Sequence, residues 1–225
     1  MLEGTTLSRD GSKHATSEKF NTASHLIAAC FSILGASLLI TKSIPSHNVW
    51  QIVSTSAYSF SLISLFVFST LHHGLNSSKK VNEIMRTFDY VAVFALIAGT
   101  VTPLVLVSSR TVFGWCVFGA VWAIAACGIA LRSSIQSLPK YITNTMYIVL
   151  GWLPITLLLG GINIPTAGTV LLAVGGLFYS FGFAIYVLEK PNPKPGHFGF
   201  HEIWHLLVMG GALCHFLLIY QYVIS

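Results

Sequence analysis

Residues 88–107 read FDYVAVFALIAGTVTPLVLV: one carboxylate, Asp89, and then an unbroken apolar run. Twenty residues at about 1.5 Å each make a helix of about 30 Å, the thickness of the hydrocarbon layer. The run does not alternate apolar and polar residues, as the ~10-residue strands of a membrane barrel would. A helix satisfies its own backbone polar groups, so it is the natural form for such a run in lipid. Six similar runs flank it, near 22–41, 49–71, 112–131, 141–160, 167–188 and 203–223. The expected fold is an all-α integral membrane protein, a seven-transmembrane helix bundle. Residues 1–21 form a polar N-terminal segment, and 22–225 form a single seven-helix domain.

The composition agrees. Of 225 residues, 54% are apolar and 8% charged, against roughly 25% charged in an average soluble domain. Mean hydropathy is +0.74. Soluble and disordered classes are excluded, and seven spans use nearly the whole length. No apolar core of a signal peptide is seen in the first 21 residues. Of the formally charged side chains, only Asp89 falls inside the seven windows.

The basic residues orient the bundle. With the N-terminus in the cytoplasm, the inner segments hold Arg9, Lys13, Lys19, Lys79, Lys80, Arg86, Arg132, Lys140, Lys190 and Lys194. The outer segments hold Lys42 and Arg110, a strong positive-inside bias that puts the C-terminus outside. The net charge of +5 and pI of about 9.1 follow from topology, with no nucleic-acid partner implied. A multi-pass protein of the cell (inner or plasma) membrane is expected. Cys30, Cys116, Cys127 and Cys214 lie scattered in the spans and are expected to be buried free thiols. Pro103 and Pro154 should kink spans three and five. Gly210-Gly211 and the Ala28, Ser32, Ala36 column should mark close helix contacts.

Nine histidines are many for so apolar a chain. His201 and His205 are spaced i, i+4 at the start of span seven, so they point the same way. His73 ends span two, with Ser69 one turn before it, and Asp89 opens span three. The end of two and the starts of three and seven all meet the cytoplasmic face. Three histidines and a carboxylate can therefore converge at one depth. Three neutral imidazoles with one position left for water form the ligand pattern of a catalytic zinc site. Asp89 could hold or deprotonate that water, and a carboxylate at the edge of hydrocarbon needs a cation nearby. Ser69 could donate to the carboxylate or to a substrate oxygen. His72 points about 100° away from His73 and is read as a second polar group. His215 lies ten residues beyond His205, about 15 Å deeper, too far to share the site. Glu18, Asn21 and His25 form one stripe at the start of span one. It is either a polar helix start or an outer shell around the metal, and spacing leaves both open.

These pieces, taken in order, resemble the hemolysin III group of the PAQR (progestin and adipoQ receptor) superfamily, related to adiponectin receptors and alkaline ceramidases. The matching residues are Glu18, Asn21 and His25, then Ser69-Thr70-Leu71-His72-His73, Asp89, residues 98–103 (AGTVTP), and His201-Glu202-Ile203-Trp204-His205. Residue 72 is His where bacterial relatives often carry an aromatic. The resemblance covers essentially the whole chain. It implies an intramembrane Zn2+ held by His73, His201 and His205, with Asp89 reaching the metal directly or through water. Ser69 would lie in or beside the ligand shell. It also implies zinc-dependent hydrolysis of a lipid amide or ester, with Asp89 as general base. The competing expectations are a membrane receptor or sensor with a structural zinc, and a hemolysin-type pore or transporter. The partners are the bilayer and a membrane lipid. A retinal protein is disfavoured because span seven has no lysine, and a diheme cytochrome because the histidines crowd one membrane edge.

Overall fold

The computed structural model describes residues 12, 14, 16–135 and 137–224. Arg9 and Lys13 of the charge count lie outside them. Seven helices follow in order: α1 (Lys19–Ser43), α2 (Val49–Gly74), α3 (Lys79–Ser108), α4 (Val112–Ser134), α5 (Lys140–Trp152), α6 (Thr166–Leu188) and α7 (Phe200–Leu218). A 3-10 segment, Leu153–Leu158, continues α5, and a π turn, Ile219–Val223, continues α7. With α5 counted through its 3-10 continuation to Leu158, all seven are long and apolar enough to cross a membrane. The chain is an all-α seven-helix membrane protein, and its environment is the lipid bilayer.

Short polar residues start the helices. The side-chain oxygens of Asn48, Ser78 and Thr111 accept from the backbone N–H of Trp50, Val81 and Gly114 respectively. Each satisfies one donor that a helix start leaves open. Pro103 lies inside an uninterrupted α3. Pro154 instead coincides with the change from α-helix to 3-10 turn, since its missing N–H is tolerated in the first turn of the new segment.

Helix α3 is central and touches α2, α4 and α5. One apolar core joins α1, α2 and α7 around Tyr58, Phe66 and Val208. A second joins α3, α4 and α5 around Phe94, Val121 and Leu150. Helix α6 buries little of itself and packs on α7 along Gly168, Gly175 and Gly182. A methyl at Gly175 would stand 2.5 Å from the His215 ring, and one at Gly182 would stand 2.9 Å from Trp204. Gly211 lies equally close to Tyr179 of α6. Helices α5 and α6 do not pack closely on each other. The four cysteines are free, but Cys30, Cys116 and Cys127 are exposed on the bundle surface. The expectation of burial is corrected: in lipid an apolar residue is as well placed facing outwards as inwards.

Candidate metal centre

The ends of α2 and α7 bring three imidazoles together. His73, His201 and His205 each offer a ring nitrogen within 4.8 Å of the other two. His73 and His205 are buried and His201 is half-buried. Nε2 of His201 lies 3.3 Å from Nε2 of His73. Two nitrogens each about 2.0–2.1 Å from a tetrahedral zinc stand about 3.4 Å apart, so this spacing suits a shared cation.

Glu18 decides which face of His73 is available. Its Oε2 lies 2.6 Å from Nδ1 of His73. Burial opposes ionisation of Glu18. The hydrogen bond and charge of His73, with the Asn21 bond and the charge of His201, outweigh it and bring the carboxyl down to about 2. A carboxylate only accepts, so Nδ1–H of His73 donates and Nε2 is the nitrogen turned towards His201. A carboxylate behind an imidazole orients the ring and raises its basicity as a ligand. Glu18 reaches this position from a left-handed backbone, φ 58°, immediately before α1.

The rest of the stripe on α1 serves the other partner helix. Nδ2 of Asn21 donates to Glu18 at 3.0 Å and to Glu202 Oε1 at 3.2 Å. His25 stacks on His205, with ring centroids 3.7 Å apart and planes 13° from parallel. Ser24 Oγ stands 3.5 Å from His205 Nδ1. None of these three is in a ligand grouping, and they form a polar and aromatic wall behind the imidazoles.

Glu202, to which the sequence reading assigns no role, lies between the two histidines of α7. It is only 1% exposed. Its Oε2 accepts from the Gly199 N–H at 2.8 Å, capping α7, and its Oε1 accepts from Thr16 Oγ1 and Asn21. The signal was present: a carboxylate one residue before an apolar window that was opened at 203, whereas α7 begins at Phe200. The segment before α1 is thus tied across the start of α7. Ser12 Oγ extends the tie by donating to Glu189 Oε2 at 3.0 Å.

Asp89 falls in a second grouping, with His72 and His73. It is not grouped with His201 and His205. His72, read from its helix angle as a bystander, is buried and lies on the Asp89 side of His73. Ser69 is buried one turn before His73. His215 is buried deeper, with Nε2 3.3 Å from the Leu172 carbonyl.

Ser69, His72, Asp89, His201 and His205 all border a chamber of about 740 Å³. It runs along α3 from Arg86 to Leu104, a rise of about 27 Å. Its far wall is apolar and comes from α5 and α6. A cluster able to hold a metal ion therefore stands at one end of a long apolar cavity between helices that do not close on each other.

A family model described as "Haemolysin-III related" matches residues 13–216. "Hemolysin-3" of Bacillus cereus is 32% identical over 207 residues, covering 91% of this chain and 90% of that protein. "Hemolysin-3 homolog" of Bacillus subtilis (strain 168) is 31% identical over 211 residues, covering 91% and 93%. The human "Monocyte to macrophage differentiation factor" is 25% identical over 206 residues, covering 90% and 82%. With seven spans in place and this match over nearly its full length, the chain belongs to the haemolysin-III-related family, multi-pass membrane proteins within the PAQR superfamily.

Proposed function

We propose that the protein is a zinc-dependent hydrolase acting within the membrane on the amide or ester of a lipid. The observation that carries this proposal is the three-imidazole cluster, two of whose members, His201 and His205, border an apolar chamber of about 740 Å³. His73, His201 and His205 would hold the ion. The donor set is all imidazole nitrogen, and the hydrogen bond from His73 to Glu18 turns Nε2 of His73 towards the other two imidazoles, both of which suit zinc. When bound, zinc supplies a Lewis acid for a carbonyl and lowers the pKa of a water towards ~7.

The protein groups divide the remaining work. Asp89 takes a proton from the attacking water and returns it to the leaving nitrogen or oxygen. Ser69, buried on the same wall, donates to a substrate oxygen or to Asp89. Glu18 keeps His73 in one tautomer and orientation. The apolar wall of α5 and α6 holds the acyl chain and excludes water from the carbonyl.

Metal analysis of protein purified without chelators tests the site. Wild type should carry about one equivalent of zinc and His73→Ala less than about a tenth. Less than about half an equivalent in the wild type would overturn the site. Asp89→Asn should keep most of the zinc and lose lipid turnover by about 10²-fold or more. Unchanged turnover would remove Asp89 as the base. The name of the bacterial relatives points to pore formation. Liposome leakage that survives His205→Ala would favour that alternative.

A further inference from the structure

We propose that the inner mouth of the chamber is an anion-binding subsite built from Arg132, Arg86 and Lys140, and that the lipid it admits carries an anionic headgroup. The inference rests on the chamber holding a lipid, as in the proposed function, and not on hydrolysis.

Arg132 closes the last turn of α4, Arg86 lies in the second turn of α3, and Lys140 begins α5. All three border the chamber at the end where the histidines gather. Arginines at helix ends ordinarily reach out to water or headgroups, and such placement explains a topological bias alone. Arg132 does not do this. It is 7% exposed, and its guanidinium carbon lies 4.4 Å above the ring centre of Tyr90. The backbone beside it is tied to α5, because the Tyr90 main-chain carbonyl accepts from Tyr147 Oη at 2.6 Å.

The buried Nε–H of Arg132 meets no acceptor among the described residues, and neither does that of Arg86. A ring face offsets only part of the cost of burying a cation. Among the described lining residues the only carboxylate is Asp89, which faces His72 and His73. Three cations against one lining acid leave the mouth positive, with two buried Nε–H donors that meet no acceptor among the described residues. A phosphate or carboxylate is what such a fork accepts, and a guanidinium binds either with paired hydrogen bonds.

The spacing fits a single lipid molecule. Arg86 lies three residues before Asp89, about 4.5 Å nearer the cytoplasm along α3. From Asp89 to Leu104 the apolar wall rises about 22 Å, room for a long acyl chain. An anionic group within a few atoms of a carbonyl, followed by one such chain, would span mouth, histidines and chamber together.

The test uses the purified, zinc-analysed protein in phosphatidylcholine nanodiscs, with ligand binding read by displacement of a fluorescent fatty acid. Three probes are compared: oleoyl lysophosphatidic acid, monoolein with the same chain and no charge, and glycerol 3-phosphate with no chain. Wild type should prefer the acidic lipid by about tenfold or more, the scale of a charge-assisted hydrogen bond. Arg132→Gln, and separately the pair Arg86→Gln with Lys140→Gln, should bring that lipid to the level of monoolein and leave monoolein unchanged. Arg132→Lys should keep part of the preference. If Arg132→Gln fails to fold, the α3–α5 pair carries the same test.

Equal binding of both lipids by the wild type would overturn the subsite, as would a preference that survives both sets of variants. Displacement by glycerol 3-phosphate as strong as by the acidic lipid would make it a site for soluble anions and overturn the lipid assignment. Hydrolysis is scored separately. A preference with no cleavage of either lipid leaves the subsite and removes the hydrolase. Cleavage with no preference does the reverse.

Discussion

At Glu18 a left-handed backbone, a buried carboxylate and an imidazole depend on one another. A non-glycine residue in that conformation costs roughly 1–2 kcal/mol. The contact at 2.6 Å with His73 is what holds it there. Glu18→Gln should keep the helices and weaken zinc binding by about 10–100-fold in chelator competition, the usual effect of losing a carboxylate behind a ligating histidine. Unchanged affinity would leave Glu18 no part in tuning the ligand. The stripe Glu18, Asn21, His25 was visible in the sequence as one face of a helix, because helical spacing is local. What the face meets was not visible. The partners are 55 residues away at His73 and 181 away at Glu202, and no periodicity encodes a pairing at that range.

Among the elements, the number and order of the seven spans were legible, since apolar runs of helix length have few other uses. The ends were less so, and the candidate site residues are at the ends. Glu202 and Arg132 fall just outside the apolar windows yet inside α7 and α4, where both are buried. Hydropathy stops at the first charge, whereas the helix continues as long as its hydrogen bonds do. The α6–α7 contact depends on the glycine column. Gly182→Leu would drive a side chain into Trp204, between His201 and His205, and should lower stability by about 1–3 kcal/mol. A thermal midpoint several degrees down, with zinc loss in parallel, is the expected result. An unchanged midpoint would mean that α6 is free to move aside.

For the whole molecule, the charge count predicts which loops face the cytoplasm. In a background without Cys30, Cys116, Cys127 and Cys214, Asn163→Cys should react with an impermeant maleimide in intact cells. Ser77→Cys should react only after lysis. Both positions are exposed loop residues between spans. The opposite pattern would place the histidines and the basic mouth on the outer side. The bond from Asn21 to Glu202 has a consequence in time. It joins the first span synthesised to the last, and Glu18 clasps His73 from the same starting segment. A nascent chain that has inserted six helices has neither His201 nor His205, so it offers no complete set of imidazoles. Under the proposed metal role, loading would follow insertion of the final helix. An ion held there as proposed would act as a seal on finished biogenesis, and a half-made or truncated chain would leave the ribosome unable to capture it.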